Sequence, residues 1–557
     1  MQGKWKKKRN KQSVTIALSA ILIAATTMAT ATPVLSAAPL TIPKAFAAVG
    51  AAQPFNDIAG SFAKDSILRL YQEQILAGTS PNTFSPARPV TRAEFVTMLN
   101  RMLGLEQANS PVSPFADVDR KAWYYGSVQA AVQLGLADGI APNQFAPSKP
   151  VTRQEAAVLL GRALKQNGTA KGPASYNDGK ELASWAEASV AAMQELGLML
   201  GDRNGRFRPK DSLTRQETAA VLDRALLNKQ WSEELATEPA QRIQLGWQYG
   251  QSTAEFERSV KQSTVNTLSP RWYFTESAGK IKDGTDQALL QWAKANHKTV
   301  WAMVGNRSNQ ELTHQLLSNR QYRETLVQNL ADQARKYKLD GLNIDFENVA
   351  PKDRNDMTAF IRSLAEKLRP LGVVLSVNVS PDRDSDWTEA FDYKELGKLA
   401  NYIVLMGYDE HWDGSPIAGS VASWPYINDY TFKLLESVPA SKTILALPFY
   451  NRDWILDESG KSTSSRILSL QEQNDLLLKR QLKPLWNEPL AQYTVNYASG
   501  GSSHRIWLED GRSLARKYRV AVTQELAGAA YWYIGGESPD IWASLRNAER
   551  YYGYVFK

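Results

Sequence analysis

The sequence predicts an α/β protein, a (β/α)8 (TIM) barrel with a mostly α-helical, three-repeat module in front of it. Three observations carry this. The 557-residue chain is 43% hydrophobic, too much for one ordinary core, so two or three domains are expected. One phrase recurs three times between residues 82 and 217, the mark of a repeat module. From Arg242 onward, short β-rich runs alternate with helical runs, the pattern of a parallel sheet with crossover helices.

Residues 1–48 carry Lys4, Lys6, Lys7, Lys8, Arg9 and Lys11, then an apolar run from Val14 to Ala25, then small residues with A-x-A-like sites near Ala37 and Ala47. This reads as a secretory signal peptide. The apolar run is shorter than the ~20 residues a membrane-spanning helix needs, so no transmembrane segment is expected once the signal is cleaved. Its removal takes away those six basic residues, Lys44 and no acids, so the net charge of +8 falls by seven to +1. The basicity is a targeting feature, and nothing else in the chain argues for nucleic acid as a partner. With no cysteine, an exported chain must rely on large cores rather than disulfides. His297, His314, His411 and His504 show no metal-ligand spacing, so neither a metal nor a cofactor is expected.

The recurring phrase runs from Asn82 to Glu94 (NTFSPARPVTRAE), from Asn143 to Glu155 (NQFAPSKPVTRQE) and from Arg206 to Glu217 (RFRPKDSLTRQE). Thr91, Thr152 and Thr214 are separated by 61 and 62 positions. Each unit opens alike, with Phe55 to Asp57, Phe115 to Asp117 and Tyr176 to Asp178, and has a glycine turn at Gly78, Gly139 or Gly201. Thr-Arg-x-Glu reads as a capping box, Thr at the N-cap and Glu at N3, opening amphipathic helices such as Phe95–Leu103 and Ala156–Leu164. These phrases resemble the S-layer homology (SLH) domain, with copies at 52–108, 112–170 and 173–227. The resemblance implies anchoring to acidic secondary cell-wall polymers at a bacterial surface, and it implies that Arg92, Arg153 and Arg215 bind them. A guanidinium beside a helix N-terminus suits a carboxylate. The third copy departs from the others, with Asp211, Ser212 and Leu213 in place of the Pro-Val approach. Residues 228–241 are polar without clear period and read as a linker.

Eight strands are drawn for the barrel, 242–557: 243–249, 267–274, 299–304, 341–346, 373–379, 402–407, 443–447 and 528–532. The clearest helices are 286–295, 322–337, 356–368 and 508–522. A barrel of this kind has its active site at the C-terminal strand ends. The stretch from 447 to 510 exceeds an ordinary loop; a hairpin of 493–496 with 505–507 around Gly500 and Gly501 is expected there, walling the cleft.

The fourth strand is the focus. Leu339, Gly341, Asn343, Asp345 and Glu347 fall on one face, and Asp340, Leu342, Ile344 and Phe346 on the other. One face is thus polar and acidic, the other apolar. Carboxylates at i and i+2 raise at least one pKa, as a general acid requires. Asp340, Gly341, Asp345 and Glu347, in the pattern D-G-x-x-x-D-x-E, resemble the signature of glycoside hydrolase family 18, the chitinase-like barrels. Met406 to Asp409 (MGYD) on strand six is similar to that family's M-x-Y-D motif, and Trp532 on strand eight to its cleft-floor tryptophan. The wording of 447–510 resembles the spore- and cell-wall-lytic branch.

The resemblance implies hydrolysis of β-1,4 bonds in N-acetylglucosamine-containing polysaccharides, peptidoglycan-type or chitin-type, with the substrate's acetamido oxygen as nucleophile. It makes Glu347 the acid/base and Asp345 the group that orients the acetamido substituent. Tyr408 and Asp409 would bind the same substituent, and Trp532 would floor the site. Asn343, where many members have a third acid, and Met406 join the substrate-binding set. Trp301, Trp412, Trp454 and Trp507 are candidates to stack on sugar rings. A silent glycan-binding barrel is the alternative, although loss of the glutamate would be its usual mark.

Overall fold

The computed structural model describes residues 54–557; the expected signal peptide and the first two residues of the first repeat lie outside them. In each repeat the two recurring phrases meet. The carboxylate of Asp57 accepts the N–H groups of Phe84 and Ser85, Asp117 those of Phe145 and Ala146, and Asp178 those of Phe207 and Arg208, all at 2.7–2.9 Å. The opening aromatic packs on the phrase's phenylalanine, Phe55 on Phe84, Phe115 on Phe145 and Tyr176 on Phe207. The glycine turn lies under the same ring: a Cβ on Gly78 would come within 2.7 Å of Phe55.

The three helices Arg92–Met102, Arg153–Ala163 and Arg215–Leu227 each start with the expected capping box. Their N1 N–H groups, orphans in an isolated helix, are taken up by the next copy: Arg92 N by Lys149 O, Arg153 N by Asp211 O, Arg215 N by Arg88 O, at 2.9–3.0 Å. Val90, Leu213 and Val151 bond one another in a ring, each donating to the next at 2.9–3.0 Å. The departure in the third copy is thereby neutral, because Leu213 fills the place of the two valines. The module is a closed threefold body.

Eight parallel strands close the barrel: β1 (Ile243–Gln248), β2 (Thr267–Pro270), β3 (Thr299–Gly305), β4 (Gly341–Asp345), β5 (Val374–Val379), β6 (Tyr402–Met406), β7 (Thr443–Pro448) and β8 (Gly528–Trp532). Each pairs with its neighbours in sequence, and β8 pairs with β1. All eight expected strands are present. The second ends four residues earlier than expected and is followed by a short separate strand, Tyr273–Thr275. On β4 the apolar face carries Leu342 and Ile344, with Phe346 just beyond the strand; all three are buried, and Phe346 stacks on Phe360 of helix Arg354–Leu368.

The insertion after β7 is larger than a hairpin. It forms a five-stranded antiparallel sheet from Tyr450–Leu456, Ser462–Ser469, Leu485–Asn487, Gln492–Ser499 and Ser502–Trp507, with helix Leu470–Arg480. A fully buried ion pair of Lys517 and Glu509, which also accepts from Ser513 and Gln492, ties this sheet to helix Gly511–Thr523.

Residues 228–241, expected as a linker, instead contain helix Lys229–Leu235. Its Trp231 is 2% exposed, meets Phe556 edge-on and donates to the carbonyl of Lys557. Nor is the repeat module a separate body. Lys165 donates to the carbonyls of Tyr552 and Tyr554, Tyr551 to that of Arg162 and Tyr554 to that of Leu103, while Arg546 forks onto Glu106. Repeats and barrel form one compact unit, because the C-terminal helix Ile541–Gly553 packs on both. Among the described residues no helix is long and apolar enough to cross a membrane.

Candidate active site

The C-terminal mouth of the barrel gathers Asp345, Glu347, Tyr408, Asp409 and Trp532 from the ends of β4, β6 and β8. Below them, Gly341 is required by a close approach: a Cβ there would lie 2.5 Å from the indole of Trp301. Asn343 is fully buried. Its Oδ1 accepts from Trp247 Nε1 (3.0 Å) and Ser269 Oγ (3.3 Å), and its Nδ2 donates to Ser376 Oγ (2.9 Å) and Asn378 Oδ1 (2.7 Å). Asn378 Nδ2 in turn donates to Asp345 Oδ1 at 2.8 Å. Expected among the substrate-binding groups, Asn343 sits one layer beneath them, where it fixes the amide that holds Asp345.

Glu347 follows the strand and is held from the loop after β3. Asn306, buried, accepts from the Glu347 N–H (3.0 Å) and donates to its carbonyl (2.7 Å), while Ser308 Oγ donates to Glu347 Oε2 at 2.7 Å. Arg307, Ser308, Asn348 and Asp409 all have φ between 51° and 58°, a left-handed conformation costly for residues with a Cβ. They cluster at this mouth.

Burial, and secondarily the charge of Glu347, push the Asp345 carboxyl up to about 7, against the opposing pull of the Asn378 hydrogen bond and of Arg271. Desolvation among the barrel side chains is the larger cause, as expected for a carboxyl at the base of a cleft. The Tyr408 phenol is pushed well above its ordinary value by burial and then by the charges of Asp345 and Glu347. Burial also raises Asp409, opposed by the hydrogen bond from Tyr450 and by Arg452. Met406 is buried at the end of β6, its carbonyl accepting the Tyr408 N–H at 2.8 Å. Trp532 is partly exposed, with Trp247 and Tyr249 against it.

The other tryptophans separate. Trp301 is buried low in the barrel, stacked on Tyr402, and Trp454 is buried in the inserted sheet with Nε1 on the Gly419 carbonyl. Both are packing residues, removed from any sugar. Trp412 is 48% exposed under Arg383, and Trp507 is partly buried with Arg505 over its ring. Arg92, Arg153 and Arg215 are 3–6% exposed. Each donates to two carbonyls of the next copy (Phe145 and Asp138, Phe207 and Leu200, Phe84 and Ala77) and lies over that copy's phenylalanine ring. Expected as an open fork for an anion, these guanidiniums are buried and each spends Nε and one Nη group joining the repeats.

Sequence reasoning missed Asn306, Ser308, Asn378 and Tyr450. Only Asn378 left a signal, the alternation Ser376, Asn378 on an otherwise apolar β5. Among the described residues no cluster of three or more His, Cys, Asp or Glu is arranged to hold a metal.

The sequence profile of the glycosyl hydrolases family 18 matches residues 252–537, and that of the S-layer homology domain matches 54–96, 114–157 and 175–219. The chain is 28% identical over 312 residues to the uncharacterized glycosylase YvbX of Bacillus subtilis, covering 54% of this chain and 89% of that one. It is 27% identical over 307 residues to the cortical fragment-lytic enzyme of Bacillus cereus, covering 51% and 71%. In fold it is similar to a chitinase from Chromobacterium violaceum (TM-score 0.51, 24% identity, 55% of this chain and 99% of that one).

Proposed function

The chain belongs to glycosyl hydrolases family 18, with three S-layer homology repeats in front, and we propose that it is a cell-surface hydrolase of N-acetylglucosamine-containing glycans that works by substrate-assisted, retaining catalysis. The observation that carries this reading is the pairing of Asp345 and Glu347 at one strand end, within the electrostatic reach of Tyr408.

Glu347, oriented by Ser308, gives a proton to the leaving glycosidic oxygen. The acetamido oxygen of the sugar attacks the anomeric carbon as that bond breaks, and an oxazolinium-like ring forms. A carboxyl titrating near 7 is a poor nucleophile at neutral pH but a good partner for an amide N–H whose positive charge is growing, and this is the role of Asp345. Tyr408 and Asp409 hold the same substituent, and Trp532 supports the ring face. Water, deprotonated by Glu347, then attacks the anomeric carbon from the face the leaving group vacated and displaces the acetamido oxygen, so two inversions retain the configuration.

The repeats hold the barrel at the cell wall, and the names of the cortical fragment-lytic relatives favour a peptidoglycan-type substrate. Mass spectrometry of products from peptidoglycan and from chitin oligomers tests the reading. Glu347→Gln should lower turnover by ~10²- to 10⁴-fold while still binding glycan. Near wild-type turnover in that variant would remove Glu347 from the acid role.

A further inference from the structure

Tyr249 and Arg271, both packed near Trp532, also line a pocket of about 340 Å3, with Gln251, Phe274 and Asp286 among its other walls. Arg271 lies there among aromatic faces, its guanidinium carbon 4.9 Å from the Tyr249 ring centroid, 5.4 Å from Phe274 and 5.9 Å from Trp532, and its charge also reaches Asp345. It forms no salt bridge or hydrogen bond with any described residue. Two enclosed polar atoms that no group among the described residues satisfies, Arg271 Nε and Gln251 Oε1, belong to residues lining this one pocket. Asp286, the acid on the pocket wall, is already committed to Thr253 and to the start of helix Gln287–Ala295. Arg307, exposed and without a salt bridge among the described residues, covers Phe274 at 4.4 Å.

Uncompensated buried donors are costly. A guanidinium fixed among rings, with its Nε enclosed and the residue as a whole half-buried, has its terminal Nη groups to offer as a planar fork to a planar anion. A neutral glycan offers it hydroxyl and carbonyl oxygens but no charge to match. We propose that Arg271 reads a carboxylate carried by the sugar in the subsite next to Trp532, so that the cleft selects acidic, muramoyl-type glycan over neutral chitin-type glycan. This rests on the hydrolase reading above for where the sugar lies. The carboxylate can be the lactyl group of the glycan itself or belong to an attached peptide stem.

Binding is read without turnover, on the full chain carrying Glu347→Gln, by calorimetry at low salt. The probes are N-acetylglucosaminyl-muramoyl oligosaccharide with free lactyl groups, the same glycan with carboxyls reduced to alcohols, the glycan with its peptide stems, and a chitin oligomer. The free acid should bind roughly 10- to 100-fold tighter than its reduced form, and adding Arg271→Met should bring that ratio to about one. Arg271→Lys should keep part of it, through charge without the fork. Preference for the stem-bearing glycan alone would locate the carboxylate on the peptide and keep the role of Arg271. Equal affinity for acid and reduced glycan, or a preference that survives Arg271→Met, overturns the proposal. Because the readout is a ratio, a general loss of affinity from loosened packing at Trp532 leaves it interpretable. Selective binding by the variant, with no cleavage of either glycan by the wild-type chain, would sink only the hydrolase reading, whereas binding of neither glycan sinks both.

Discussion

Asp345→Asn should make the protein more stable at neutral pH and inactive. The folded-state pKa of Asp345 is raised from 3.8 to about 7, so its charge is dearer in the folded chain than in the unfolded one. Below 3.8 both states are protonated and nothing is lost. As pH climbs from there to about 7 the unfolded chain ionises first and stability drains away, after which the loss is constant. Three units at 1.36 kcal/mol each amount to ~4 kcal/mol, and because Asp345 is partly open to the mouth we take roughly 2–4 kcal/mol after screening. Asparagine keeps the oxygen that Asn378 bonds and carries no charge, so it recovers that amount. At ~2 cal/mol/K per residue over the roughly 500 residues of the compact unit, the melting temperature should rise by about 2–4 °C at pH 8 and by almost nothing at pH 4. The assay is thermal denaturation of wild type and variant across that range, with hydrolysis measured in parallel. A gain equal at both pH values would trace to packing, and no gain at pH 8 would mean the carboxyl is not strained by its site; either refutes the reasoning.

Three other substitutions test the supports. Asn343→Asp removes the Nδ2 donor to Ser376 and Asn378, which should cost ~1–3 kcal/mol and move the acidic limb of the pH–rate profile as Asn378 loosens its hold on Asp345; melting and profile both unchanged would make the relay inert. Arg153→Ala strips the carbonyls of Phe207 and Leu200 of their donor and should cost roughly 2–4 kcal/mol by denaturant titration. The triple change at Arg92, Arg153 and Arg215 should abolish helical circular dichroism from the repeats, so loss of wall binding in that variant would reflect unfolding; retained helicity would argue for a surface role. Trp231→Ala should cost ~3–5 kcal/mol and open residues 228–241 to protease, and an unchanged cleavage pattern would show that the docked helix contributes little.

The carboxylates, the capping boxes and the eight strands were legible because each is written in local spacing: period two on β4, Thr and Glu three apart at three helix starts, apolar runs at barrel intervals. Asn343 was misplaced for a related reason. Spacing says which face a side chain takes but not its depth, and on an inward-facing strand Asn343 lies one layer below Asp345. Trp301 and Trp454 were misplaced likewise, since a ring that stacks on sugar and a ring that stacks on Tyr402 are spelled alike.

The sequence by itself determined the two-part architecture, the acidic strand end and the threefold phrase, since periodicity, capping and turn chemistry act between residues a few positions apart. Tertiary structure alone decided that the Asp345 carboxyl is strained, that three arginines clamp one repeat to the next, that residues 228–241 dock rather than tether, and that Arg271 stands beside Trp532 without a salt bridge among the described residues. Desolvation and pairing depend on what chain closure brings within a few ångströms, and those neighbours lie far apart in sequence.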